Sequence, residues 1–285
     1  MGAIDLRDRA EGCLLGACIG DAWGAPYEFK GPRPAPDGYE RGVFGTEAGH
    51  PTDDSTLMLF LAEHLAEVID VHGGKAPDPD EVTWDGYTRR LVAWVDGRPP
   101  DVGNATRYAA GCWRRGTGPA PDDSVQGNGS LMAVAACGVA WASRPDEAAR
   151  AGSAFADLTH PSRVARQVNA DAAALLAHLV AGLPVPDDPR FRPSLPCPPT
   201  EKIGWCKIAW ALAVDSYHQA QTLGPLDALR SVIGQGGDTD TNGTVAGAVL
   251  GAAYGTRAWA GWPKDGLAEA TRCRRLAGQL VDGPP

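Results

Sequence analysis

Two series of glycines constrain this 285-residue chain more than any other feature. Gly12, Gly16, Gly20 and Gly24 recur every fourth residue, and so do Gly243, Gly247, Gly251 and Gly255. Residues four apart share one face of an α-helix, so each series makes a nearly bare ridge along which another backbone can lie close. Glycine costs about 1 kcal/mol per helix-interior position relative to alanine, so two such ridges demand a compensating contact. The pattern predicts two central helices packed tightly against each other. If they run antiparallel, the end of the first, with Asp21 and Glu28 just beyond it, lies beside the start of the second, with Asp238 and Asp240. A membrane reading of the ridges fails, because Asp21 interrupts the first and no run of about 18 apolar residues exists.

The rest of the apolar pattern is helical too. After Asp54, "STLMLFLAEHLAEVI" places Leu57, Phe60, Leu61, His64, Leu65 and Val68 on one stripe. "VNADAAALLAHLVAGL", "IGWCKIAWALAVDSY" and "PLDALRSVIG" repeat the theme at 168–183, 203–217 and 225–234. Alternating strands are missing. Proline and glycine clusters mark loops at 31–38, 73–80, 97–103, 116–129 and 184–200. The expectation is one compact all-α domain over residues 1–285, an orthogonal helical array with enough apolar residues for a sizeable core.

Charge and cysteine usage narrow the function classes. A formal charge of −9 argues against binding a nucleic-acid backbone. The seven cysteines are scattered and never spaced C-x-x-C, which suits a reducing cytoplasm with thiols as small core residues. The first residues lack the apolar stretch of a secretory signal. These readings predict an acidic cytoplasmic protein that binds no membrane and acts as a monomer.

Carboxylates gather at two helix starts. Asp238 and Asp240 open the second ridge in "GGDTDTNG", and Thr52, Asp53 and Asp54 precede the amphipathic helix in "PTDDSTLM". "DTDTNG" begins like an EF-hand loop, but position 12, where a bidentate glutamate is needed, is Val249. One acidic residue before a helix is explained by an N-cap worth about 1 kcal/mol. Two sites, each with more acid than a cap needs, are not. If Glu28, Asp53, Asp54, Asp238 and Asp240 converge, each pair at about 4 Å repels by roughly 4 kcal/mol at an effective dielectric of 20. Helix dipoles return about 0.3–1 kcal/mol each. Divalent cations would resolve the conflict, and an all-oxygen set that includes the Thr52 and Thr241 hydroxyls favours magnesium or manganese over zinc.

A third segment, Gly127-Asn128-Gly129-Ser130 before an apolar helix, offers backbone N–H groups and a hydroxyl to a phosphate, or is an ordinary turn capped by Ser130. It is neither a P-loop nor a dinucleotide fingerprint, since no G-K-[ST] follows and no strand precedes. His64, on an apolar stripe, reads as a core residue, and Trp23 as core packing or pocket wall. No H-E-x-x-H, G-x-S-x-G or paired Cys/His motif occurs.

In order along the chain, "GCLLGACIGDAWGAPYEF", "PTDDSTLM", "GNGSLMAVAACG", "DLTHP" and "GGDTDTNGTVAGAVLGAAYG" resemble the ADP-ribosylglycohydrolase family. The resemblance implies an all-α fold with two divalent cations, usually magnesium or manganese, that removes ADP-ribose from a modified side chain. It implies metal ligation by Thr52, Asp53, Asp54, Asp238, Asp240 and Thr241, with Asp240 bridging. Glu28 would lie near the substrate ribose, Gly127–Ser130 and Met132 would meet the ADP-ribose, and His160 would line the pocket. Asp53 or Asp54 is the expected base, with Glu28 the alternative. Family members commonly carry arginine and proline where this chain has Ala133 and Ala136, a departure that bears on substrate selectivity. The expected substrate is an ADP-ribosylated protein or small conjugate, arginine-linked by preference. Two rivals stand beside this reading: an inactive ADP-ribose-binding module, and a metal-dependent nucleotide phosphohydrolase. Binding without turnover would mark the first, and release of phosphate the second.

Overall fold

A computed structural model describes residues 5–262 and 266–283. Each glycine ridge is a helix, α1 (Leu6–Gly24) and α10 (Thr239–Tyr254), and the two lie antiparallel in direct backbone contact. Gly12 faces Gly251, Gly16 faces Gly247, Gly20 faces Gly243, and Gly24 faces Thr239. A Cβ on Gly243 would sit 2.5 Å from the Gly20 carbonyl oxygen, well inside van der Waals contact. Gly255 ends the series just past α10, where φ of +66° suits glycine alone. Both helices are buried on nearly every side, so neither carries the polar stripe of a surface helix.

Nine further helices surround this pair among the described residues. In chain order they are α2 (Asp53–Val71), α3 (Asp85–Asp96), α4 (Asn104–Arg114), α5 (Ala135–Ala140), α6 (Pro145–Ala156), α7 (Arg163–Val180), α8 (Cys206–Leu223), α9 (Pro225–Gly234) and α11 (Ala270–Asp282). Helices α8 and α9 pack on α10, α11 packs on α1 and α2, α5 bridges α2 to α7, and α6 packs on both α7 and α5. No strand occurs among the described residues, and the fold is all-α. The buried side chains join into one continuous cluster. Within it Trp23, Trp141 and Trp259 are fully buried, and each indole N–H finds a carbonyl, on Pro36, Pro77 and Gly12.

The stretches read as helices at 55–69 and 225–234 lie in α2 and α9, and the one read at 168–183 lies in α7 up to Val180, where the helix ends before Gly182 at φ +68° and leaves Leu183 exposed. The one read at 203–217 starts later, at Cys206. Residues 203–205 instead form a turn, closed by Trp205 N–H to the Lys202 carbonyl at 3.1 Å and tied to the 126–128 segment, where Asn128 N–H donates to the Gly204 carbonyl at 2.9 Å and Cys206 N–H to that of Gln126 at 3.1 Å. All seven cysteines are free, and six are buried. No helix among the described residues is long and apolar enough to cross a membrane.

Candidate metal centre and its cavity

The antiparallel ridges bring the two acidic ends together. Thr239 Oγ1 donates to the Gly24 carbonyl at 2.7 Å, closing the end of α1 onto the start of α10. The chain after α1 is tied there as well: Phe29 N–H donates to the Gly237 carbonyl at 2.7 Å, and Gly237 N–H returns a bond to Lys30 at 2.9 Å. Glu28 is thereby fixed beside Asp238 and Asp240.

Asp21 docks the third acidic element. It is fully buried, and its carboxylate accepts the N–H groups of Thr52 at 3.1 Å and Ser55 at 3.0 Å. The hydroxyls of the same two residues donate to it at 2.7 and 2.5 Å. A negative charge at the start of α2 takes up N–H groups that have no partner within the helix, and the helix dipole favours it. Thr52 also caps α2, its hydroxyl accepting from Asp54 N–H at 3.3 Å. These bonds hold Asp53 and Asp54 towards the other carboxylates.

The result is a cavity of about 520 Å³ lined by Glu28, Asp53, Asp54, Asp101, Asp238 and Asp240. Among the described residues no lysine or arginine lines it. Carboxylate oxygens form two groups, each within 4.8 Å: Asp21 with Asp54 and Asp240, and Glu28 with Asp238 and Asp240. Asp240 belongs to both. Asp53 lines the cavity but stands outside either group. Thr241 Oγ1 donates to Asp54 at 3.4 Å, while Thr52 Oγ1 turns chiefly to Asp21.

Burial and mutual repulsion leave these groups short of positive charge. Burial, then the neighbouring negative charges, push Asp53, Asp54 and Asp240 well above the usual carboxylate range. Burial, then Asp238, raises Glu28 to about 9; burial, then Asp21, raises Asp101 to about 6. Asp54 Oδ1 is buried with no hydrogen-bond partner among the described residues. An orphaned carboxylate oxygen inside an all-oxygen donor set fits a hard divalent cation.

The Gly127–Ser130 segment crosses the cavity wall. Gly127, Asn128, Gly129, Met132 and His160 face the cavity; Ser130 does not. The Ser130 hydroxyl is fully buried and accepts from Asn169 at 3.0 Å. The loop opens onto a single 3₁₀ turn at Leu131–Ala133 rather than directly onto a helix, and α5 beyond it is six residues long. Among the described residues no acceptor takes the N–H groups of Gly127 and Gly129. The His160 ring packs beneath, so close that a Cβ on Gly129 would lie 2.8 Å from it. Burial pushes His160 down to about 4, leaving the ring neutral at pH 7. Asn128 Nδ2 donates to Asp238 at 2.8 Å, tying this loop to the acidic centre.

Sequence reasoning placed Asp21 near the site without giving it work, and missed Asp101 altogether. Asp101 lines the cavity from the loop before α4, beside Asp53, and has an unpartnered, buried Oδ2. Trp23 does not line the cavity; it is buried and packs on Trp262 with ring centroids 3.9 Å apart. His64 is buried in the core beside Trp84.

An all-α scaffold that focuses acidic helix ends on one cavity defines a protein built around a carboxylate centre able to hold divalent metal. A sequence model described as ADP-ribosylglycohydrolase matches residues 3–284, and the chain belongs to that family. It is 26% identical over 277 residues to the ADP-ribosyl-[dinitrogen reductase] glycohydrolase of Rhodospirillum rubrum, covering 88% of this chain and 87% of the relative. It is 40% identical over 141 residues to the ADP-ribosylarginine hydrolase Tri1 of Pseudomonas putida (strain GB-1). That match takes in 45% of this chain and spans 35% of the relative's length. A solved structure titled ADP-ribosylglycohydrolase-related protein complex superposes with a TM-score of 0.76 at 27% identity, covering 98% of this chain and 99% of its own.

Proposed function

We propose that the chain is a metal-dependent glycohydrolase that releases ADP-ribose from a modified side chain, arginine by preference. The observation that carries this reading is the place of Asp240 in both carboxylate groups, the arrangement a bridging ligand of two cations requires. Thr52, Asp53, Asp54, Asp238, Asp240 and Thr241 are the proposed ligands, and magnesium or manganese the proposed ions. Bound there, the ions supply an activated water and a template for the ribose hydroxyls.

The chain's own groups divide the remaining work. The free N–H groups of Gly127 and Gly129 suit a diphosphate, with neutral His160 beneath them adding no competing charge. Met132 closes the same wall. Glu28 lies beside the groups that would hold the ribose. Asp53 and Asp101 line the cavity together, each held above the usual carboxylate range by burial, and the pair is suited to move a proton at the anomeric centre. The acidic lining supports a permanently cationic acceptor, since a guanidinium stays charged at any ordinary pH. It also disfavours phosphohydrolysis, in which positive side chains commonly take up developing phosphoryl charge. The proposal includes a single domain over residues 1–285 acting as a cytoplasmic monomer on ADP-ribosylated proteins or small conjugates. Chromatography of the products of ADP-ribosyl-arginine tests it: intact ADP-ribose is expected, and AMP or free phosphate would overturn it.

A further inference from the structure

Hydrophobic side chains gather at the mouth of the acidic cavity. Among the ten large hydrophobics that stand exposed in the described chain, Phe29, Phe44 and Ile203 all line it. Phe29 is 55% exposed and Phe44 43%, with ring centroids 6.2 Å apart and planes at 80°. In an edge-on pair the ring that presents its edge keeps both faces uncovered by its partner.

The placement of Phe29 is enforced. Its φ is +60°, a left-handed conformation that bulky side chains avoid. The bonds exchanged between 29–30 and Gly237 hold it there, directly after Glu28. Phe44 sits in a turn fixed by Gly42 N–H to Thr46 at 2.9 Å and by Val43 N–H to Ala25 at 3.2 Å. Backbone bonds, not burial, set both rings at the rim. Strained conformations of this kind concentrate where a ligand is clamped.

The charge around the rings selects the ligand. Asp101 lines the same cavity, and no described lysine or arginine does. An aromatic face attracts a cation within about 6 Å, and a neighbouring carboxylate adds to that attraction while repelling an anion. The diphosphate already has a better partner in the N–H groups of the 127–129 loop. We propose that Phe29 and Phe44 form the acceptor subsite: they hold the guanidinium side chain from which ADP-ribose is released, and so favour arginine-linked over neutral, serine-linked conjugates. The subsite rests on the glycohydrolase reading for the identity of its substrate.

The test uses the full chain as wild type, Phe29→Ala and Phe44→Ala, with Phe44→Tyr as the ring-preserving control. Both rings lie largely outside the core, so their truncation leaves the fold intact, which a thermal melt checks. The first measurement needs no turnover: calorimetric titration with arginine amide and with its neutral analogue citrulline amide, in the presence of ADP-ribose and magnesium. Arginine amide is expected to bind wild type at least about fivefold more tightly. The alanine variants should lose that preference and Phe44→Tyr should keep it. Equal binding of the two amides to wild type, or an unchanged preference in both alanine variants, overturns the proposal.

The second measurement is steady-state hydrolysis of ADP-ribosyl-arginine. The alanine substitutions should raise KM about 5- to 30-fold, while affinity for ADP-ribose alone stays within about twofold. A matching loss of ADP-ribose affinity would assign the rings to the nucleotide and overturn the acceptor role. If wild type hydrolyses no conjugate, the glycohydrolase reading fails by itself, and the comparison of arginine with citrulline still decides the subsite.

Discussion

Gly16 on α1 and Gly247 on α10 face each other so closely that a methyl group on either would occupy the other's carbonyl. Alanine is normally the better helix former by about 1 kcal/mol. Here the contact reverses the sign, because neither backbone can move without parting the central pair. Gly16→Ala and Gly247→Ala should each destabilise by about 3 kcal/mol or prevent folding. Gly31→Ala, where nothing lies within 4 Å, should stay within about 0.5 kcal/mol of wild type. Denaturant melts of the three variants check this, and a neutral Gly247→Ala would contradict it.

Much of the architecture was legible because these glycines leave few ways to pack. Their spacing predicted two close helices, and an antiparallel arrangement implied that Asp21 and Glu28 would meet Asp238 and Asp240. Helices α3, α4, α6 and α11 escaped notice. They are amphipathic surface helices whose apolar stripes are short and interrupted by arginines, as in "DGYTRRLVAWVD". Asp101 could not be found either. It sits in a Pro/Gly loop, and its position depends on how that loop folds over α2. The orientation of Ser130 was hidden for a related reason: its hydroxyl turns inward to Asn169, a partner 39 residues away that no local pattern reveals.

Asp21 answers four donors at the start of α2, and removing its charge should be felt at a distance. In Asp21→Asn the amide NH₂ would face N–H and O–H groups that need an acceptor, at a cost of about 1–3 kcal/mol. Thr52, Asp53 and Asp54 would lose their register. The expected outcome is lower thermal stability together with weaker magnesium binding by calorimetry. Magnesium affinity equal to wild type would show that α2 is held by packing alone.

Asp101→Asn separates proton transfer from binding. If the Asp53–Asp101 pair moves the proton, kcat should fall about 10²- to 10⁴-fold. The affinity for ADP-ribose should hardly change, since neither the glycine loop nor the Asp240 groups are touched. A rate within threefold of wild type would remove Asp101 from the chemistry.

The acidic centre also sets a dependence of stability on pH. Glu28 rises from 4.5 to about 9 in the fold, so between those values the folded chain keeps a proton that the unfolded chain has lost. Stability therefore falls as pH rises through that window. Asp101, raised from 3.8 to about 6, acts in the same direction at lower pH. His160, lowered from 6.5 to about 4, acts oppositely below 6.5 because the fold holds it neutral. Asp53, Asp54 and Asp240, also raised, act in the same direction as Glu28, so above pH 6.5 the carboxylates of the centre together set the slope. In EDTA the melting temperature should decline from pH 6.5 to 9, and saturating magnesium should flatten that decline. A rise over the same range in EDTA would contradict the assignment.

The most direct measurement of the central claim is release of free ADP-ribose from ADP-ribosyl-arginine by wild type and by Asp240→Asn, with magnesium, with manganese and with EDTA. If Asp240 joins two cations at the reaction centre, wild type turns over with magnesium or manganese and stops in EDTA. Asp240→Asn, though folded, should then be inactive with either metal. Turnover that persists in EDTA, or that survives in Asp240→Asn, would show that the chemistry does not run through this carboxylate centre.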